Sequence, residues 1–203
     1  MKSNIILKLS FYIIISCHFL NANSNELKFE ATSIEIIDED KVVIANDGVK
    51  ILSSNDLIID ANQMKYDKEK NFLEASGDII VNNKEKNIKI KSDNITYDKK
   101  IEKIVSSGNV VINFEDSYSL NTKEIIYLKK TGEIFINHTS KIKDTFGNNI
   151  ELEKLNFNAN NKLIKGKMVK LLDIEKNFYN FDSAIIDFSE NKIIADNVSI
   201  DFD

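Results

Sequence analysis

From residue 57 onward the chain alternates. Ile59 and Ala61, then Met64 and Tyr66, then Leu73, Ala75, Gly77, Ile79 and Val81 put apolar or small side chains at every second position, with charged and amide residues between them. That is the period of a strand with one buried face. No stretch after residue 22 carries a sustained helical stripe, so the pattern predicts an all-β chain. The alternation slips by one inside each unit: positions 59 and 61 are odd, 64 and 66 even, and the same slip separates Ser92 from Ile95. A slip of one turns later side chains to the opposite face unless a bulge or bend restores them. Each outgoing strand is therefore expected to turn a corner at the slip. Stacked corners would bend the sheet along one line into a folded, V-shaped section or a flattened roll.

The slip recurs. Six copies of a small or apolar residue followed by an apolar or aromatic pair read Ala31/Ile34/Ile36, Ala61/Met64/Tyr66, Ser92/Ile95/Tyr97, Thr122/Ile125/Tyr127, Leu152/Leu155/Phe157 and Ser183/Ile186/Phe188. Their middle residues are separated by steps of 30, 31, 30, 30 and 31, the signature of a stacked-repeat architecture. The second and third copies align without a gap from Leu57–Val81 onto Ile88–Ile112, with Gly77 on Gly108 and Asp67 on Asp98. Polar clusters such as Asp67-Lys68-Glu69-Lys70-Asn71 suit hairpin loops. Two strand lengths per unit imply roughly a dozen antiparallel strands. Because one repeat position recurs in register, Ile36, Tyr66, Tyr97, Tyr127 and Phe157 are expected to form a row. The chain has no proline, so nothing removes a backbone donor from the ladder.

Composition adds the compartment. Lys2, an apolar run from Ile5 to Leu20 and then Asn21-Ala22-Asn23-Ser24 read as a secretory signal peptide over residues 1–22, cleaved after Ala22 or Ser24. The run is short and interrupted for a membrane anchor. It leaves one domain over residues 23–203. Cys17, the only cysteine, is a passenger of the leader on this reading; the alternative is a lipoprotein cleavage box at Ile14-Ile15-Ser16-Cys17. A net charge of −5, with 27 lysines and no arginine, gives no basic stripe for nucleic acid. An exported, acidic, β-rich chain points to the periplasm.

Catalytic and metal chemistry find little support. His138 stands alone once His18 leaves with the leader, and zinc needs several ligands. Ser140-Lys141-Ile142-Lys143 has the bare spacing of serine acylases without their supporting motifs. Asp38-Glu39-Asp40 and Asp201/Asp203 read as solvated tips rather than calcium ligands. The six glycines form no phosphate-cradling loop, and Gly77 and Gly108 read as bulges or close strand approaches. No enzyme, metal or cofactor is expected. What remains is the apolar face itself, which either closes as a dry core or opens to hold lipid chains.

The units Ile59-Asp60-Ala61-Asn62-Gln63-Met64-Lys65-Tyr66-Asp67 through Leu73-Glu74-Ala75-Ser76-Gly77-Asp78-Ile79, and Ile90-Lys91-Ser92-Asp93-Asn94-Ile95-Thr96-Tyr97-Asp98 through Val110, resemble the OstA-like repeats of the lipopolysaccharide-transport family. The resemblance covers nearly all of residues 27–203 and is strongest over 57–114. It implies an open β-jellyroll of about six antiparallel repeats that carries lipopolysaccharide acyl chains in an apolar groove. The groove would be lined by Ile59, Met64, Leu73, Ile79, Val81, Ile90, Ile95, Ile104, Val110 and Ile112. It also implies partners: other jellyroll transport components, joined end to end by strand pairing, and an outer-membrane barrel. The pattern is similar both to the soluble bridge proteins of the family and to the periplasmic N-terminal domain of the assembly protein LptD. Leu128 departs from the pattern by replacing the aspartate after Tyr127, and the last three units lack a clear A-x-G-[ND]-[IV].

Edge strands at the two ends, carrying Phe29, Ala31, Ile34, Ile186 and Phe188, are the expected docking sites, because unpaired backbone groups invite a strand from another protein. The rival class is a structural envelope protein that docks partners through those edges without carrying lipid. A carbohydrate-active β-solenoid enzyme is a third, disfavoured because no carboxylate pair recurs. Export should remove the leader and leave a chain starting near Asn23 or Asn25. Intact mass of the exported protein checks this, and a lipid-modified Cys17 would contradict it.

Overall fold

The computed structural model describes residues 27–53, 57–114, 117–187, 189–190 and 192–201. The leader, with Cys17, His18 and the cleavage site, lies outside them. Sixteen strands form one sheet. In the first half they are β1 (Lys28–Glu30), β2 (Ser33–Ile37), β3 (Val42–Ser53), β4 (Leu57–Asp67), β5 (Phe72–Asn83), β6 (Ile88–Asp98), β7 (Lys103–Phe114) and β8 (Tyr118–Leu128). The second half holds β9 (Glu133–Ile136), β10 (Ser140–Asp144), β11 (Asn149–Leu152), β12 (Lys154–Asn158), β13 (Leu163–Leu172), β14 (Phe178–Asp187), β15 (Lys192–Asp196) and β16 (Ser199–Asp201).

Four pairs of these are halves of single bent strands. β1 and β2 both lie on β3, β9 and β10 on β8, β11 and β12 on β13, and β15 and β16 on β14. Joining them gives a dozen bent strands in an antiparallel meander, the number the repeats imply. The fold is all-β, and its sheet is creased along one line into two limbs.

The crease is built from the parity slip. Inward positions are three apart across it in outgoing strands (Ala61/Met64, Ser92/Ile95) and four apart in returning ones (Ala45/Val49, Ala75/Ile79, Ser106/Val110). The register accordingly shifts at Asn46/Val49, Asp60/Gln63, Ser76/Ile79, Lys91/Asn94 and Ser107/Val110. The extra residue of each unit is on the returning strand, where Gly77-Asp78 and Gly108-Asn109 both take positive φ. Gly77 is therefore part of the bulge and does not continue the inward alternation. These glycines also meet the outgoing strand closely: a Cβ would lie 2.7 Å from Asn62 Nδ2 at Gly77 and 2.5 Å from Asp93 Oδ2 at Gly108. The same side chains tie the corner, Asn62 Nδ2 donating to Asp78 Oδ2 at 3.1 Å and Asn109 Nδ2 to Asp93 Oδ2 at 2.8 Å.

Hairpin tips of the second limb use the aspartate that follows the repeat aromatic. Asp67 Oδ1 accepts the Lys70 N–H and Asp98 Oδ1 the Lys100 N–H, both at 2.9 Å, which are side-chain mimics of a turn. At Leu128 no carboxylate is present, and the tip closes instead by the Gly132 N–H donating to the Leu128 carbonyl at 2.9 Å, with Gly132 at φ 70°.

One continuous register row crosses the sheet: Ile36, Val43, Tyr66, Leu73, Tyr97, Ile104, Tyr127, Ile134, Phe157, Ile164, Ile186, Ile193. The expected row of Ile36, Tyr66, Tyr97, Tyr127 and Phe157 exists and faces inward, but an aliphatic residue of a returning strand separates each pair. The row also corrects the sixth copy. Ile186 occupies the aromatic position, so the unit is Phe181/Ala184/Ile186, two residues earlier than Ser183/Ile186/Phe188; a residue between β14 and β15 had no turn signal strong enough to fix the phase.

Adding a methyl group at Gly108 should cost more than at Gly48, where a Cβ meets nothing within 4 Å although φ is +79°. Gly48→Ala is expected to lose about 1 kcal/mol from the backbone alone, and Gly108→Ala to lose about 2–3 kcal/mol more through the Asp93 collision. Urea denaturation of the two variants measures the difference.

Candidate functional site

The ten groove positions fall together. Ile59, Met64, Leu73, Ile79, Val81, Ile90, Ile95, Ile104, Val110 and Ile112 belong to one apolar cluster, and none is more than 2% exposed. Ile59, Val81, Ile90 and Ile112 lie on the first limb, Met64, Leu73, Ile95 and Ile104 on the second, and Ile79 and Val110 beside the crease. In the middle of the molecule the two inner faces pack against each other.

Contacts between limb tips close the mouth of the V. Asn83 Nδ2, on the first limb, donates to Tyr127 Oη on the second at 2.8 Å. Tyr97 shares a side-chain hydrogen bond with Ser53, and Lys129 Nζ reaches Ser53 Oγ at 3.5 Å and Glu102 at 3.6 Å. Ring contacts close the flanks: Phe29 to Tyr66 with centroids 5.4 Å apart, and Phe114 to Phe157 at 5.0 Å. The repeat aromatic thus latches successive units, each time onto the inward residue near the far end of the opposite limb. The sequence signal for this was present but slight: Ser53, Asn83 and Phe114 all end returning strands at inward parity, where a polar residue is out of place unless it has a partner.

Burial raises the pKa of the latch tyrosines. Tyr127 is pushed up to about 12, because its phenolate would be stranded in apolar surroundings, while the Asn83 bond works weakly the other way. Tyr97 and Tyr66 are raised for the same first cause.

The interior does not stay covered at its ends. Inward-facing Ile36 at the N-terminal edge is 44% exposed, and Ile193 and Ile200 at the C-terminal edge are both 42% exposed. Of the expected edge residues, Phe29, Ala31 and Ile34 lie on or beside β1 and β2, each strand paired only with β3. Ile186 is not at an edge: it pairs with Ile164 on one side and Ile193 on the other and is buried. The C-terminal edge is β15 and β16, because the chain adds one more bent strand after β14. Phe188 lies outside the described residues.

The remaining sequence candidates separate. Ser140 faces inward and gives its hydroxyl to the His138 carbonyl at 3.1 Å, whereas Lys143 faces solvent, so the two are on opposite faces of β10. Among the described residues no group of three or more His, Cys, Asp or Glu side chains is placed to hold a metal ion.

Comparison with known proteins follows this geometry. No family model matches the chain, and no curated protein matches it. The chain is similar to a solved transport component. That structure is LptH from Pseudomonas aeruginosa, described as the LptA-homologous periplasmic component of the lipopolysaccharide transport device, at 13% sequence identity and a TM-score of 0.42, covering 88% of this chain and 96% of that one. The fold described above stands on this chain's own register.

Above pH 10 the protein should weaken. Tyrosine in the unfolded chain ionises near 10, while folded Tyr127 holds its proton to about 12, so its contribution is intact below 10 and is lost as pH rises toward 12. A loss of about 2–3 kcal/mol is expected over that window. Tyr127→Phe should remove the larger part of this slope, as measured by denaturation at pH 9, 10, 11 and 12.

Proposed function

We propose that this chain is a periplasmic lipopolysaccharide-binding and transport module that holds acyl chains between its two limbs and passes them toward the outer membrane. The observation that carries this reading is an apolar inner face running without interruption through every unit and emerging uncovered at both ends. The OstA-like repeat pattern supports it. No catalytic group is needed: transfer of hydrocarbon from water stabilises by roughly 0.8 kcal/mol per methylene, or about 10 kcal/mol for a dozen. Loss of the buried Asn83–Tyr127 bond costs about 1–3 kcal/mol. Lipid entry by parting the limbs is therefore energetically open, with the acyl chain replacing the apolar contacts that the limbs give up.

The exposed inner residues at the two edges make β1/β2 and β15/β16 the docking surfaces. On this reading partners are jellyroll transport components that add strands end to end, and an outer-membrane barrel that receives the lipid. A structural reading has one observation of its own, namely that all ten groove positions are already packed in the closed roll. On that reading the edges dock partners and the interior stays dry.

Photo-crosslinking separates the two. Benzoylphenylalanine at inward Ile104 should label added lipopolysaccharide, and the same group at Val105, one residue on and facing outward, should not. No labelling from either position, or equal labelling from both, would favour the structural roll.

A further inference from the structure

The outer faces of the two limbs differ in charge. On the first limb, between β5 and β10, the outward positions carry Lys89, Lys91, Lys141 and Lys143 and no carboxylate. On the second limb, between β5 and β9, they carry Glu74, Asp98 and Glu133 against Lys103. A chain with a net charge of −5 thus collects lysines on one flat face. Among the described residues Lys89, Lys91 and Lys143 make no ion pair, and Lys141 has an exposed one, 3.7 Å from Glu151.

At the tip of that limb the face becomes concave. A cavity of about 490 Å³ opens there, lined by Asn82, Lys89, Asn113, Ser119 and Lys143 from the strands. These five form a single register row, each paired with the next across β5, β6, β7, β8 and β10. Lys89 and Lys143 are three strand spacings apart, about 14 Å, with Asn113 and Ser119 between them. Ser117, Tyr118 and Thr145 form the rim, which is fixed by the Thr145 N–H donating to the Ser117 carbonyl at 3.1 Å and by Tyr118 stacking on Phe114 at 5.1 Å. The one described carboxylate in the lining, Asp144, is turned into its own loop: Oδ1 accepts the N–H groups of Phe146, Gly147 and Asn148, and Oδ2 accepts Asn148 Nδ2 at 2.7 Å.

Two cations flanking a floor of amides and hydroxyls suit a ligand that is anionic and rich in hydroxyl groups. Lysine supplies point charges for phosphate, asparagine and serine supply donors and acceptors in both senses, and a concave site strengthens the field that a flat lysine face would lose to screening. We infer that this cavity on the outside of the first limb binds a phosphorylated saccharide. The site is separate from the interior and does not depend on what the interior holds.

The mature protein, labelled with ¹⁵N, can be titrated with N-acetylglucosamine 1-phosphate and followed by amide shifts. Shifts should centre on Asn82, Lys89, Asn113, Ser119 and Lys143, and inorganic phosphate or unphosphorylated N-acetylglucosamine should bind at least tenfold more weakly. The double variant Lys89→Gln/Lys143→Gln should weaken binding at least tenfold with an unchanged β-sheet spectrum, while Lys65→Gln on the other limb leaves it unchanged. Equal binding of inorganic phosphate, undiminished binding by the double variant, or adsorption of phosphatidylglycerol vesicles through these lysines without sugar-phosphate binding would each overturn the assignment.

Discussion

Everything in this molecule follows from one geometric constraint, a crease that must turn the sheet without turning its apolar side chains to water. In a strand, a shift of one residue sends every later side chain to the other face. Here outgoing strands step by three and returning strands by four across the crease, so both limbs keep Ile, Leu, Val and Tyr inside. The difference of one residue is absorbed at Gly77-Asp78 and Gly108-Asn109, where two successive positive φ angles bend the returning strand. Without that bend the limbs could not face each other, and no interior would exist.

Given the crease, the limbs still have to be held together, and backbone ladders do not do this. Ladder bonds run around the sheet, from strand to strand, while the mouth of the V is closed only by side chains. Tyr97, Tyr127 and Phe157 reach across to Ser53, Asn83 and Phe114. Such contacts are few and each is modest in energy, which makes the mouth the softest seam in a sheet otherwise secured by long antiparallel pairings. At the two ends of the stack the inner face lacks an opposing neighbour, leaving Ile36, Ile193 and Ile200 in water. The same repeat that builds a packed middle therefore leaves ends that another copy of the pattern would complete.

Much of this was legible in the residues. Alternation from Ile59 to Val81, the slip between Ser92 and Ile95 and the 30–31-residue step together specify strands, crease and meander. All ten groove residues were readable because inward parity is a local property. The phase of the sixth unit was not, since Ser183, Ala184 and Ile185 offer apolar or small residues in either parity and only pairing with Ile164 and Ile193 decides between them. The latch was hidden for a different reason: Asn83 and Tyr127 are 44 residues apart, and no periodicity links two limbs that meet only after folding. Outer-face charge was similarly invisible, because Lys89 and Lys143 become neighbours on one row only through the register of β6, β7, β8 and β10.

The central claim is that the interior admits lipid by parting the limbs at this seam. Spin labels at the exposed positions Lys84 and Lys130, placed by Lys84→Cys and Lys130→Cys in the mature chain, sit next to Asn83 and Lys129 on opposite sides of the mouth. Their separation, measured by pulsed electron resonance, should lengthen when lipopolysaccharide is added and return when the lipid is removed. A separation that stays the same while lipopolysaccharide is bound would contradict the account.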